Sequence, residues 1–418
     1  MNCAWIVVQF FAVLCFCNLP ASVTAQIPSV ATKDPLNHQV SGEGAIVKPL
    51  VMAHYMPWFQ SKPFSEQWGW HWTMNHFDPD QVINERSPIA SKFYPIIGPY
   101  DSGDREVLQY HLLLMKFAGI DGVIVDWYGL TNFRDYALLH RNTTRMLEEC
   151  ERLKMKFIIC YEDQTISALI NDGKLDKKDA VGHAVHEINW LSRYWFRSPS
   201  YVRFDQRPVL LSFGHDGLSP QDWTRCIERI SEPVLYYSQD YRRQGAEGAF
   251  NWPSPSEGMA QYDRFLKQST QWDSLIPVAY PRFDDVYKIA GVRDSFPVIP
   301  DRSGNTLKQT LQKCLNPKTR LIQIATWNDW GEGTQIEPSV EYGYRDLKNI
   351  QDFIRSRIKP ALEFDPDDLH LPRKILELHG NPQRLTERFS DELREAIEGG
   401  DFGTVRKVLA QLQLSEEE

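Results

Sequence analysis

The sequence predicts an α/β chain closed into a (β/α)8 TIM barrel with a small C-terminal helical extension. Three observations point there: eight short apolar runs of strand character, helical periodicities between them, and polar or aromatic residues gathered where the runs stop. The runs are Val51 to Trp58, Gly122 to Trp127, Lys156 to Glu162, Pro208 to Phe213, Pro233 to Ser238, Gly248 to Trp252, Asp273 to Tyr280 and Leu321 to Trp327. Parallel strands are buried on both faces, so continuous apolar runs are expected of them rather than alternation. Arg105 to Phe117 and Tyr136 to Leu153 repeat apolar residues about every 3.6 positions, the period of a crossover helix. Eight such units within residues 49–360 suit the length of this barrel.

The flanks read differently. Residues 1–25 carry no charged side chain, and an apolar run from Cys3 to Cys17 leads to Val23-Thr-Ala25, a small-residue cleavage site before Gln26. This pattern predicts a secretory signal peptide, followed by an extended leader over residues 26–48. The run is too short for a membrane span, so no stable membrane insertion is expected once the signal is removed. A secreted, periplasmic or secretory-lumen protein follows. Residues 361–418 hold most of the net charge of −9 and two helical patterns, Arg384 to Glu398 and Phe402 to Leu412, parted by Gly399-Gly400. An acidic extension argues against nucleic acid and anionic membrane surfaces as partners.

Four cysteines remain beyond the signal, Cys150, Cys160, Cys226 and Cys314, at spacings that fit neither a zinc site nor a disulfide-dense scaffold. His54, His71 and His76 lack any H-E-x-x-H or Cys/His spacing, and no glycine-rich phosphate loop is present. No metal or other cofactor is therefore expected. Asn142-Thr-Thr144 forms a glycosylation sequon, read here as a surface position on a helix.

Chemistry in this barrel type collects at the C-terminal ends of the strands. The last run ends in Ala325-Thr-Trp-Asn-Asp-Trp-Gly-Glu-Gly-Thr-Gln-Ile-Glu-Pro338, which crowds Asp329, Glu332 and Glu337 beside Trp327 and Trp330. Cleaving a glycosidic bond needs one protonated carboxylic acid for the leaving oxygen and one ionised carboxylate. Asp329 and Glu332, three residues apart, fall on one side of a turn, and their mutual charge beside apolar indoles separates their pKa values. The plainer alternative has Asp329 capping a short helix and Glu332 solvated. The other strand ends supply candidates for sugar contact: Tyr55, Trp58, Asp126, Trp127, Tyr128, Glu162, Tyr237, Trp252, Tyr280, Arg282, Trp327, Asn328 and Glu337. Trp70 and His71, in the long loop after the first run, are read as a cleft wall or a plug in the barrel mouth. With 13 Trp, 17 Tyr and 21 Phe, the chain has rings to spare for stacking on sugar faces after a core is built.

Tyr55-Met-Pro-Trp58, Tyr94-Pro-Ile-Ile-Gly-Pro-Tyr-Asp-Ser-Gly-Asp104, Gly119-Ile-Asp-Gly-Val-Ile-Val-Asp-Trp-Tyr128 and Trp327-Asn-Asp-Trp-Gly-Glu-Gly-Thr-Gln-Ile-Glu-Pro338 together resemble glycoside hydrolase family 99 and its family 71/99-like relatives over residues 51–350. The resemblance implies a secreted or lumenal barrel enzyme that cuts inside α-mannose-containing chains with retention of configuration. It implies Glu332 as acid/base and Asp329 as the carboxylate that assists the sugar 2-hydroxyl. It also implies Glu162 and Tyr55 as sugar contacts, and Trp127 and Trp252 as stacking rings. Two departures from the family motif Asn-Glu-Trp-His-Glu stand out: Asp329 replaces Glu and Gly331 replaces His. They motivate an alternative expectation, a catalytically silent carbohydrate-binding protein on the same barrel.

Overall fold

Inward and outward residues alternate along each strand of a computed structural model, which describes residues 48–62, 64–380 and 387–414. The strands are β1 (Leu50–Tyr55), β2 (Gly122–Trp127), β3 (Lys156–Glu162), β4 (Arg203–Phe204), β5 (Arg207–Phe213), β6 (Leu235–Gln239), β7 (Gly248–Phe250), β8 (Ser274–Ile276), β9 (Val278–Ala279) and β10 (Leu321–Ile324). Only β4, which forms a short hairpin with β5, is antiparallel. The others run parallel in the order β8-β7-β6-β5-β3-β2-β1-β10-β9. β8 and β9 are parted by Pro277 alone, so they are two pieces of the barrel's seventh strand, one paired to β7 and the other to β10. The chain itself closes the ring. Proline has no N–H for a ladder, and the switch of neighbours falls where that donor is missing; the Pro277 carbonyl still accepts from Gln323 N at 3.0 Å.

The pleat sorts side chains into two apolar bodies. Met52, Ile124, Ile158, Val209, Leu211 and Phe250 fill the barrel. Val51, Ala53, Val123, Val125, Phe157 and Ile159 face outward and pack with the surrounding helices. Gly122 is required where β2 meets β3: a Cβ there would lie 1.9 Å from the Lys156 carbonyl oxygen. The helices α2 (Arg105–Phe117) and α3 (Tyr136–Arg152) cover β1 to β3, and the Asp104 carboxylate caps α2 by accepting from Glu106 N. The four cysteines are buried free thiols.

Lys48–Glu418 forms one compact unit. Within it the helices α10 (Leu371–His379), α11 (Glu387–Gly399) and α12 (Phe402–Leu414) follow the barrel. They settle on α2 through apolar rings, Phe117 lying 4.6 Å from Phe364 and 5.0 Å from Phe402, with Lys116 over the Phe402 ring. Arg406 grips Asp368 through two 2.7 Å hydrogen bonds. The expected signal peptide and nearly all of the expected leader lie outside the described residues, among which no helix is long and apolar enough to cross a membrane.

Asn142 is not at the surface. It faces the barrel from α3, wholly buried, and its amide donates to the Pro57 carbonyl at 2.9 Å. The helix has turned the sequon inward, where no oligosaccharide fits. Protein secreted from a glycosylating host is therefore expected to carry no glycan at Asn142, checked by peptide mass spectrometry. Asn142→Ala should cost about 1–3 kcal/mol in urea denaturation, because the Pro57 carbonyl loses its donor.

Candidate active site

One pleat above the apolar filling, the inward positions turn polar: His54 on β1, Asp126 on β2, Cys160 and Glu162 on β3, and Gln323 on β10, all buried. Over this layer lies the segment after β10. Its peptide Ala325–Thr326 is cis. The Thr326 hydroxyl accepts from Asp329 N at 2.8 Å, and the Asp329 carboxylate in turn accepts from Glu332 N at 3.0 Å. Asp329 thus does cap its own turn, yet the turn keeps both acids at the barrel mouth, Asp329 buried and Glu332 half-buried.

Backbone and side-chain ties fix this segment. The Asn328 amide behaves as a strand partner for Met56, accepting from its N–H at 2.8 Å and donating to its carbonyl at 3.0 Å. Asp284 N and Val286 N, from the loop after β9, donate to the Glu332 and Gly331 carbonyls at 2.9 and 3.0 Å. Glu337 is enclosed beneath: it accepts from Tyr100 OH at 2.7 Å and Trp330 Nε1 at 3.3 Å and lies 3.1 Å from His111 Nε2 on α2.

Four carboxyl groups share the mouth, and burial pushes all four pKa values up. For Asp329, raised to about 7, backbone N–H groups of Glu332 and Gly331 oppose the effect of burial. Glu332 is driven well up by burial and then by the neighbouring Asp329 charge, with the Tyr287 hydroxyl, 3.2 Å from its Oε1, pulling back. Asp126 is raised to about 8 chiefly by burial, and Glu162 is driven well up by burial and then by the neighbouring Asp126 charge. One oxygen of each, Asp126 Oδ1 and Glu162 Oε1, has no protein partner.

Aromatic walls flank the acids. Trp58 stacks on His71 at 4.2 Å, Trp70 meets His71 edge-on at 5.0 Å, and Tyr128 stands 6.5 Å from Trp58. Trp252, half-buried, abuts His54 and Phe213, each at 4.8 Å. The tryptophan-rich loop divides its duties, for Trp72 is buried against Phe59 and donates to the Tyr100 carbonyl at 2.7 Å, while Trp70 and His71 border the mouth.

Other residues singled out from the sequence do not reach the mouth. Tyr55 and Trp127 are one step out of phase with His54 and Asp126 and face the helices, Tyr55 bonding His111 Nδ1 at 3.1 Å and Trp127 bonding His140 at 3.2 Å. Tyr237 points inward but low, its hydroxyl on Ser274 at 2.9 Å. Tyr280 is buried against Met259 and Thr310 outside the ring. Arg282 is buried on Asp346, the Gln335 carbonyl and the Tyr342 ring. Trp327 is core, and Asn328 and Glu337 are the ties described above. Sequence reading missed Tyr287 and Asp285, which sit in an irregular loop without periodicity. Asp285 fixes that loop by accepting from Tyr287 N and Phe296 N. The residues that could hold a metal ion are His54, Asp126 and Cys160, whose ligand atoms lie within 4.8 Å of one another.

A parallel eight-stranded barrel with clustered acids and indoles at its C-terminal mouth is an arrangement compatible with glycoside hydrolysis. Residues 256–350 match the family model described as Glycosyltransferase WbsX. Over 385 residues the chain is 33% identical to glycoprotein endo-alpha-1,2-mannosidase of Mus musculus, covering 81% of this chain and 75% of the mouse protein. It is 36% identical over 334 residues to the glycoprotein endo-alpha-1,2-mannosidase-like protein of Homo sapiens, covering 69% of this chain and 68% of the human one. The fold matches the GH99 endo-alpha-mannosidase structure from Bacteroides thetaiotaomicron with a TM-score of 0.55 at 16% identity, covering 77% and 98% of the two chains. The chain belongs to the glycoprotein endo-alpha-1,2-mannosidase family of glycoside hydrolases, the GH99-like group.

Two stability effects follow. Folding raises the pKa of Asp126 from about 3.9, so its contribution to stability is full below that value and is lost as pH climbs through about 8. Asp126→Asn cannot ionise, and its gain in Tm over the parent should be larger at pH 8 than at pH 5 by calorimetry. Glu337→Gln turns an amide N–H toward existing donors, and urea denaturation should show a loss of about 1–3 kcal/mol.

Proposed function

We propose that this protein is a retaining, endo-acting hydrolase of α-linked, mannose-containing glycans, exported from the cytoplasm, with Glu332 as acid/base and Asp329 as the assisting carboxylate. The observation that carries the reading is the unequal setting of two acids on one turn. Asp329 is held by two backbone N–H groups that favour its anion, whereas burial and the facing Asp329 charge keep the proton on Glu332. The division suits a reaction that needs one base and one acid at the same sugar.

In the first step Asp329 takes the proton of the sugar 2-hydroxyl and O2 attacks C1. The C1–O bond to the leaving sugar breaks, and the departing oxygen receives the proton of Glu332. Water then approaches C1, giving a proton to Glu332 as its oxygen bonds, while the C1–O2 bond opens and O2 regains its proton from Asp329. Two inversions at C1 give net retention. Asp126 and Glu162, with their unpartnered oxygens, serve to bind hydroxyls of the same sugar, and Trp58, Tyr128 and Trp252 offer ring faces to its neighbours.

Incubation of residues 26–418 with a panel of α-mannans and α-glucans tests this. Oligosaccharides should be released by the parent and at least ~100-fold more slowly by Glu332→Gln or Asp329→Asn, with the α anomer appearing first by NMR. The kcat/KM profile should fall on the acid side of about pH 7 as Asp329 takes up its proton. Binding without release from any member would overturn the hydrolytic reading.

A further inference from the structure

Gly331 stands between the two acids without a side chain, and the space beside it is taken from elsewhere in the chain. A Cβ at Gly331 would lie 3.0 Å from Met74 Cε and 3.6 Å from Asp329 Oδ1, so the thioether methyl and the carboxylate border one small volume. Met74 ends the short helix Trp70–Thr73 in the left-handed conformation, φ 43°, with its N–H on the Trp70 carbonyl. That backbone is unfavourable for an unbranched L-residue and persists only where surroundings impose it. The side chain is buried with Ala90, Val286 and Ala290, and Trp70 and Tyr287 pack against the same group. Val286 N bonds the Gly331 carbonyl and Tyr287 OH bonds Glu332, so this apolar cluster adjoins both acids.

We propose that Met74 is a positioning residue that replaces, across the chain, the side chain absent at 331: it shields Asp329 from water on that side and presses its carboxylate onto the backbone of the turn. The polar and charged groups that act on the pair are the Gly331 and Glu332 N–H groups on the same turn, Asp285 and Tyr287 from the loop after β9, Arg293 beyond it, and Asp126 from β2. Met74 meets the Gly331 position without offering a hydrogen bond or a charge, and a polarizable, flexible thioether fills such a gap well. A larger side chain at 331 and Met74 are alternative tenants of one volume. The inference rests on Asp329 acting as the ionised partner of Glu332.

The test compares kcat/KM against pH for the parent, Met74→Ala, Met74→Leu, Gly331→His and the double variant Gly331→His/Met74→Ala, on a glycan that the parent cleaves, with thermal melts to verify folding. Met74→Ala should shift the acid limb to lower pH by about one unit, because water reaching Asp329 eases its ionisation, and should lower kcat about tenfold through looser placement. Met74→Leu should preserve both. Gly331→His should lose at least about tenfold in kcat/KM, and removing Met74 in that background should restore most of the loss, the non-additivity of groups that share a space. An unmoved acid limb at parental rate in Met74→Ala, or no recovery in the double variant, would overturn the proposal. Glu332→Gln and Asp329→Asn separate the two ideas. If they retain parental rates, the carboxylate reading itself fails; if they are inactive while Met74→Ala is unchanged, Met74 alone is excluded.

Discussion

The Asn328 amide, paired with both backbone groups of Met56, is the interaction on which the mouth of this barrel depends. β10 ends at Ile324, and beyond it only isolated backbone bonds reach the neighbouring strands, Ala325 N to the Ala279 carbonyl at 2.9 Å and Trp327 N to the His54 carbonyl at 2.7 Å, before the chain turns away. A side-chain amide has the same donor and acceptor as a peptide, so Asn328 prolongs the β1–β10 pairing after the backbone has turned away. Glu337 completes the anchorage from below, binding one end of the segment to Tyr100 and to His111 of α2. Between these two fixtures the turn bearing Asp329 and Glu332 has little freedom, and the loop after β9 clamps its carbonyls from the side. The placement of the two acids is a property of buried polar pairs rather than of the acids themselves.

Those acids are a standing cost to the fold. Several carboxyl groups at the mouth, withdrawn from water, are tolerated because protons are retained on some of them and backbone N–H groups steady Asp329. The surplus comes from the two apolar bodies inside and outside the sheet. Under the proposed function, a hydroxyl-rich substrate would meet the unpartnered oxygens of Asp126 and Glu162, and groups that weaken the fold would favour the complex.

Much of this was legible from sequence. Each of the eight apolar runs coincides with a barrel strand, and α2 spans the predicted Arg105 to Phe117. Clustering of chemistry at strand ends led to Asp126, Glu162, Asp329 and Glu332. What the runs conceal is phase. An uninterrupted apolar run carries no alternation, so His54 and Tyr55, or Asp126 and Trp127, look equally eligible although the pleat turns them to opposite faces. Asn142 was misplaced for the corresponding reason in a helix, since polar residues on a buried face break the periodicity that would assign them. Tyr287, Asp285 and Met74 lie on irregular segments whose course is set by tertiary contacts, and no local pattern announces them.

The ring contacts of Phe117 with Phe364 and Phe402 have a bearing on how the molecule is made. α2 presents His111 to the barrel side and Phe117 to the later helices, so the element that positions Glu337 is finished on its outer surface only by residues some 285 positions further along. A growing chain can order the early strands as they emerge, but the backing of α2 waits until Phe402 has left the ribosome. A chain interrupted before that point would leave the outer aromatic surface of α2 uncovered.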